Sequence, residues 1–391
     1  MSSDNLQFSS AKLRSTASVV SKSERPDIQD LDTAFTVQVI DCDRLDEELL
    51  QFWVGLHQNE SQYSSPNFHP DFTKAVAKVR DDVRIGVIRH ANGQLAGVFP
   101  FQKLSEHTAD TVGGRMNDYH GVMHAPEVRI DLDSLLLKLG IKTFAFHAVS
   151  ANKERFEDYQ FVALPSFCID LSDGCENYMN WAKGNSQTVK RMPQKIRAIA
   201  RDHGSLRFEF DCQQSDVLEK VILMKRQKYN RTNTFDILSV EWAANLLREI
   251  HQVRNSDFRS LMSVLWAGDS IVAAHFGMIS GEVLQYWFPV FDYRFSKYSP
   301  GIQLMMNTIS QSCKTGISRI DLSYGQSKFK EMFANQDEEV LFGKVSINRL
   351  AFQVAKQRYL MRMRLKKLPL KEPAKYLLRK VFPGYGRWHF K

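Results

Sequence analysis

Nowhere in the 391 residues is there an apolar run near the about 20 residues that a membrane-crossing helix needs. Cysteine is scarce: Cys42, Cys168, Cys175, Cys212 and Cys313 are odd in number, scattered, and include no C-x-x-C pair. That pattern indicates neither a disulfide framework nor a zinc site, and reduced thiols in a cytoplasmic protein are expected. Also missing are a P-loop, a nucleophile elbow, a dinucleotide glycine pattern and an RNA-binding signature of the RRM or KH kind. Residues 1–33 are polar and Ser-rich without a signal-type apolar core, and are expected to form a disordered leader.

Acidic charge is nearly absent from the other end. Residues 349–391 hold thirteen Lys and Arg against one acid, Glu372, so removing that excess from the net charge of +8 leaves the remainder near −4. The basicity therefore belongs to a tail. Its apolar residues (Leu350, Phe352, Val354, Tyr359, Leu360) interleave with Arg358, Arg362 and Lys366, a pattern that allows either a solvated helix docked on the protein or an amphipathic helix on an anionic membrane surface. Nucleic acid is not expected as a partner.

What is present is a globular chain, 43% hydrophobic and long enough for two domains. Strands are expected over "TAFTVQVID" and "KTFAFHAV", helices over Leu45–Gln58 and "HPDFTKAVAKV", and a hairpin over "VRIGVIRHANGQLAGVFPFQKL", turned at Asn92-Gly93. Later, "LMSVLWAGDSIVAAHFGMISGEVLQYWFPVFD" reads as a three-strand antiparallel meander. It is followed by a helix, the strand "ISRIDLS", a helix over "QSKFKEMFAN" and a last strand, "VLFGKVSI". The hairpins "RIGVIRHANGQLAGVFPF" and "LMSVLWAGDSIVAAHFGM" echo each other, consistent with tandem duplication of one fold. The fold class is α+β, with mostly antiparallel mixed sheets flanked by helices. The expected boundaries are 34–170 for a degenerate first domain, 171–348 for the catalytic domain and 349–391 for the basic tail.

"KYSPGIQLMMNTISQSC" marks the sharpest break. Ser299 is a candidate N-cap, Pro300 suits a first helical turn, and Gly301 permits close approach. Ile302, Met305, Met306, Ile309 and Cys313 then fall on one face. The start of such a helix suits a phosphate, although the same residues also serve as a plain strand-to-helix turn.

A meander leading into this turn, then helix, strand and helix, is the order found around the acyl-coenzyme A site of GNAT acyltransferases. "LQYWFPVFDYRFSKYSPGIQLM" followed by "GISRIDLSYGQSKFKEMF", with "LAGVFPF" and "GGRMNDYHGVM" in the first half, resembles the polysaccharide-associated acetyltransferase family often called CelD/BcsL, over about residues 36–348. The resemblance implies two tandem GNAT-like, FemAB-like domains and an acyl-coenzyme A donor, acetyl-coenzyme A first among them. Its pyrophosphate would lie on Ser299, Pro300, Gly301 and Ile302, and its thioester beside "VLQYWFPV". It also implies a sugar or lipid-linked sugar acceptor in exopolysaccharide or cellulose-type biosynthesis. Only one glycine, Gly301, stands where the usual pyrophosphate loop has two, and Phe329 replaces a tyrosine common in that family.

Acyl transfer needs a base for the nucleophile, donors for the oxyanion and an acid for the departing thiolate. His275, in the apolar "IVAAHFGM", is a candidate base or a core ring, and Asp292 either orients it or caps a turn. Tyr298 and Tyr324, at strand ends, are candidate acids, and Lys330 is a candidate anion contact. In the Gly-flanked loop "NDYHG", Asp118, Tyr119 and His120 are candidates for acceptor binding, as is Trp287. No metal site is expected, since Asp-x-His alone is not a ligand set. Two rival readings remain: an aminoacyl-tRNA-dependent transferase using "TVKRMPQKIRAIAR" and the tail, and a non-catalytic accessory protein of a membrane polysaccharide-synthesis complex.

Overall fold

A computed structural model describes residues 35–346 and 348–367; the expected leader and the tail beyond Lys367 lie outside the described residues. The first lobe runs β1 (Phe35–Ile40), α1 (Glu47–Asn59), α2 (Pro70–Val79), β2 (Val83–His90), β3 (Leu95–Lys103), β4 (Thr108–Thr111), β5 (Met123–His124), α3 (Leu132–Lys138), β6 (Thr143–Val149) and β7 (Gln160–Asp170). The second opens with three helices, α4 (Cys175–Asn185), α5 (Gln187–Lys190) and α6 (Met192–His203), then β8 (Leu206–Glu209), α7 (Ser215–Arg231) and α8 (Glu241–Gln252). It continues through the meander β9 (Phe258–Ala267), β10 (Ser270–Ser280) and β11 (Val283–Phe291), then α9 (Pro300–Ser312), β12 (Arg319–Tyr324), α10 (Lys328–Phe333) and β13 (Gln336–Ser346). A last helix, α11 (Arg349–Lys367), starts the basic tail.

Local chemistry sets these limits. Asp46 caps α1 by accepting from the Leu49 amide at 2.8 Å, and Pro70 occupies the first turn of α2, where its missing N–H costs nothing. The β2–β3 hairpin turns at Gly93, whose φ of 89° is open to glycine at little cost.

All the strands among the described residues join one sheet, in the order β1-β2-β3-β4-β6-β13-β7-β12-β11-β10-β9-β8, with β5 on β3. The order is nearly a palindrome. Each lobe contributes a meander, then a parallel pair, β4 with β6 and β11 with β12. Each then gives its last strand to the other: β13 lies between β6 and β7, and β7 pairs with β12. An irregularity recurs at matching places, since β12 bulges between Asp321 and Tyr324 with Ser323 at φ 67°, and β6 has Ala148 at φ 51° where its register with β13 shifts. The mixed α+β fold with two GNAT-like halves is thus what the chain forms, but the halves are interlocked by strand exchange.

Three findings depart from the sequence reading. β7 was not expected; Pro165 lies inside it, opposite the β12 bulge, where its carbonyl still accepts from the Gly325 amide at 2.9 Å. α8 was not expected either, although Ala243, Leu246, Leu247 and Ile250 bury one face of it. And Cys175 and Cys313, expected as free thiols, form a disulfide that ties the start of α4 to the end of α9, leaving Cys42, Cys168 and Cys212 free.

Along α11, Phe352 docks against Tyr159 and Phe161, and Leu350, Val354 and Met361 stay exposed. No helix among the described residues is long and apolar enough to cross a membrane.

Candidate functional site

The parallel pairing of β11 with β12 ends at Gln285 opposite Asp321, and beyond that rung the strands part. Two buried polar residues thus stand at the crotch of the sheet. Asp321 is ion-paired with Arg319 at 2.7 Å, and Arg319 also reaches Glu338 of β13 at 2.8 Å, so this side is internally compensated. Gln285 points its amide elsewhere.

That amide, Nε2, donates to Oδ2 of Asp118 at 2.8 Å. Asp118 comes from the first lobe, on the loop that follows the left-handed Gly113 and Gly114. Asn117 shapes the loop by donating to the Val112 carbonyl and accepting from the Tyr119 amide, both at 3.0 Å. Gly121 lets the loop lie against Ala151, whose carbonyl would stand 2.7 Å from any Cβ there.

Burial pushes the Asp118 carboxyl up to about 6, while Lys330, Ser323 and Gln285 hold it from rising further. Lys330 is anchored by donating to the carbonyls of Ser323 and Tyr324, and burial pulls it down to about 8. Tyr324, packed on Phe342, is half-buried, and burial raises its hydroxyl. Tyr119 lies next to Asp118 in sequence but bonds Ser166 of β7 at 2.7 Å. The structure therefore brings together Asp118, Tyr324 and Lys330, and adds Gln285.

It also adds Lys225. On α7 the buried stripe Val217, Leu218, Val221 and Ile222 continues into Lys225, a residue only 7% exposed, whose ammonium donates to the Pro289 carbonyl at 3.1 Å beside the rings of Phe288 and Tyr229. Burial lowers it to about 7. A polar residue on an apolar helical stripe, like a glutamine in "VLQYWF", was the sequence signal for these two residues.

The other candidates lie apart. His275 is fully enclosed and stacked on Tyr286 at 3.9 Å; neither ring nitrogen has a well-formed hydrogen bond, the Gln285 carbonyl lies beside it, and burial lowers it to about 3. A ring so placed stays neutral and does not touch substrate. His120 bonds the Pro100 carbonyl between Phe99 and Phe144, and burial lowers it to about 4. Asp292 caps its turn and pairs with Arg294 rather than with His275. Tyr298 donates to Asp202 at 2.6 Å and meets His203, on the side of α6. Trp287 packs against Phe72 of α2 and Phe288.

At the start of α9, Ser299 sits at φ 56° and does not cap with its side chain; its hydroxyl accepts from Lys195 of α6 at 2.6 Å. Its carbonyl takes the amides of Ile302 and Gln303. Pro300 has no amide hydrogen, so the amide left for an anion is that of Gly301, together with the Lys195 ammonium. The turn fits one phosphate, by fewer amides than expected.

Residues 186–331 match the family model described as "Acetyltransferase (GNAT) domain". The second lobe therefore carries a GNAT acyltransferase domain, and the chain is an acyltransferase. No curated protein matches the chain. Among solved structures, FemX is similar at TM-score 0.52 and 9% identity, covering 82% of this chain and all of its own. The C-terminal DUF2156 domain of a protein described as a lysylphosphatidylglycerol synthetase, from Agrobacterium fabrum, is similar at TM-score 0.50 and 13% identity, over 78% of this chain and 94% of that one. A tandem GNAT protein from the clavulanic acid biosynthesis pathway aligns at TM-score 0.46 and 9% identity, over 79% and 98%.

Proposed function

We propose that the chain transfers an acyl group from acyl-coenzyme A to an amine or hydroxyl acceptor at the crotch between β11 and β12, with Asp118 as the base. The observation that carries this reading is the buried Asp118 carboxylate, held by Gln285 beside Lys330 where the parallel strands part. A carboxylate raised to about 6 is ionised at neutral pH yet basic enough to take a proton from an attacking group. The acceptor nitrogen or oxygen attacks the thioester carbon and passes its proton to Asp118. The C–S bond then breaks, and the Tyr324 hydroxyl protonates the leaving thiolate. Lys330, pinned on two carbonyls, offsets negative charge that develops in between. Asp118 replaces His275 as base because it lies at the crotch, whereas the His275 ring is sealed in the core.

The donor's phosphates rest on the Gly301 amide and Lys195 at α9. For the acceptor, the sequence resemblance favours a sugar or amino sugar of a polysaccharide precursor. The test is calorimetric titration with acetyl-coenzyme A on the native chain and on Gly301→Asp. A Cβ at Gly301 meets nothing closer than Phe291 at 3.6 Å, so the variant fits while its carboxylate repels phosphate. Absence of acyl-coenzyme A binding to the native chain would sink the reading.

A second reading has its own support: Lys190 of α5, Arg191 at its junction with α6 and Arg197 of α6 are exposed, and α6 supplies Lys195 to the same turn. A polyanionic donor such as aminoacyl-tRNA would use them, and its binding would weaken steeply with salt.

A further inference from the structure

α7 and α9 lie on opposite faces of the sheet. Leu284 and Tyr286 of β11 pack with Met305 and Ile309 of α9, whereas Phe288 and Val290 pack with Val217, Leu218 and Val221 of α7. The turn proposed for the donor phosphates is on the α9 face. Lys225 is on the α7 face, and Lys228 follows it one helical turn later, partly buried.

Among the described residues no carboxylate lies within 4 Å of Lys225, Lys228 or Lys330. Lys225 has one carbonyl and two ring faces for three N–H donors. An ammonium taken from water without an anion is costly unless a ligand supplies one. Asp118 is a single negative charge near Lys225 and Lys330, and three charges bear on Lys225: Lys228 and Lys330 repel its proton, Asp118 retains it.

We infer that the acceptor carries an anionic oxygen group, phosphate or carboxylate, bound by Lys225 and Lys228 on the α7 face of the sheet and by Lys330 at the crotch. The inference rests on the acyl-transfer reading and deepens it. The anion anchors the acceptor from one face, and its amine or hydroxyl reaches Asp118 at the crotch, while the donor enters from the other face. Two of the cations are fixed before binding: Lys330 by its two carbonyls and Lys225 by Pro289. Little ordering is left to be done by the ligand.

Calorimetric titration of the full chain with inorganic phosphate, glucosamine 6-phosphate, glucuronate and neutral glucosamine tests this. At least one anionic probe should bind about tenfold or more tightly than glucosamine, and Lys225→Met and Lys228→Met should each weaken it by about tenfold. Lys103→Met, exposed at the end of β3 and outside both sites, should leave it unchanged. Binding by phosphates alone assigns a phosphate, and by glucuronate alone a carboxylate. Lys225→Met removes a buried charge without loss of volume, so it should melt no lower than the native chain; Lys228→Met stands in if it does not fold. Equal binding of glucosamine, no binding of any anion, or loss on Lys195→Met alone would overturn the inference. Thiol release from acetyl-coenzyme A with a neutral amine, without anion binding, would sink the anion site and leave acyl transfer standing. Anion binding that depends on Lys225, with no binding of acyl-coenzyme A, would do the reverse.

Discussion

Gln285 and Asp118, 167 positions apart, share a 2.8 Å hydrogen bond that joins the second lobe's splayed strands to a loop of the first. Neither lobe alone holds the candidate base and its donor. A site of this kind uses the first lobe for chemistry and not only as support.

The pH dependence of turnover follows from that bond. Asp118 must be ionised to accept a proton, and burial raises it to about 6, so kcat/KM should climb as pH rises through about 6 and fall again as Lys225, lowered to about 7, and Lys330, lowered to about 8, lose their protons. Asp118→Asn should lower kcat by about 100- to 10,000-fold with an unchanged far-ultraviolet spectrum. Gln285→Leu removes a donor to the ionised form, so the inflection should move to higher pH. A profile that is flat between pH 5 and 7, or an active Asp118→Asn, would remove Asp118 from the base role.

Acid should unfold the protein through its histidines. Burial lowers His57, His69 and His120 to about 4 and His275 to about 3, from an ordinary value of 6.5. Below pH 6.5 the unfolded chain takes up protons that the folded chain refuses, so stability is full above 6.5 and falls as pH drops toward 4. Denaturant midpoints measured from pH 7.5 to 4.5 should decline, and His275→Leu should shallow the slope. A midpoint constant over that range contradicts the sealed histidines.

The Cys175–Cys313 bridge closes a loop of 138 residues containing most of the second lobe. Its loss in Cys175→Ser with Cys313→Ser should cost about 2–5 kcal/mol in urea unfolding. Thiol titration of the denatured native chain should find three free cysteines, and five would mean that the bridge does not form.

Residues 171–367 produced alone should be insoluble or lack the native fold. β12 would lose β7, and β13 would lose both of its neighbours, exposing long unpaired edges. Co-expression with residues 35–170 should restore solubility. A monomeric, folded second lobe by sedimentation and circular dichroism would argue against the exchange.

The meander β9–β11, the β2–β3 hairpin and the start of α9 were legible because local chemistry specifies them: alternation, an Asn-Gly turn, Pro and Gly placed at a helix start. β7 was hidden by Pro165, a residue that ordinarily argues against a strand and is tolerated here opposite a bulge. Of the site, Asp118, Tyr324 and Lys330 were visible as loop and strand-end residues, but nothing local says that a loop at 118 meets a strand at 285. His275 drew attention by its residue type, and its sealed surroundings are a property of packing. Lys225 and Gln285 broke an apolar pattern, which marks a residue as exceptional without saying what it faces. The Cys175–Cys313 pairing depends on two helices meeting in space, and no spacing rule reaches across 138 residues.

The exchanged strands also set the order of events during synthesis. The ribosome completes β6 long before β13 exists, yet Val149 of β6 pairs with Leu341. The first lobe must therefore wait, with one edge open, until almost the whole chain has emerged, and closure of both halves falls into one late step. Such a protein should fold slowly after release, pass through a half-built sheet prone to association, and depend more on chaperones than two separate domains of the same size.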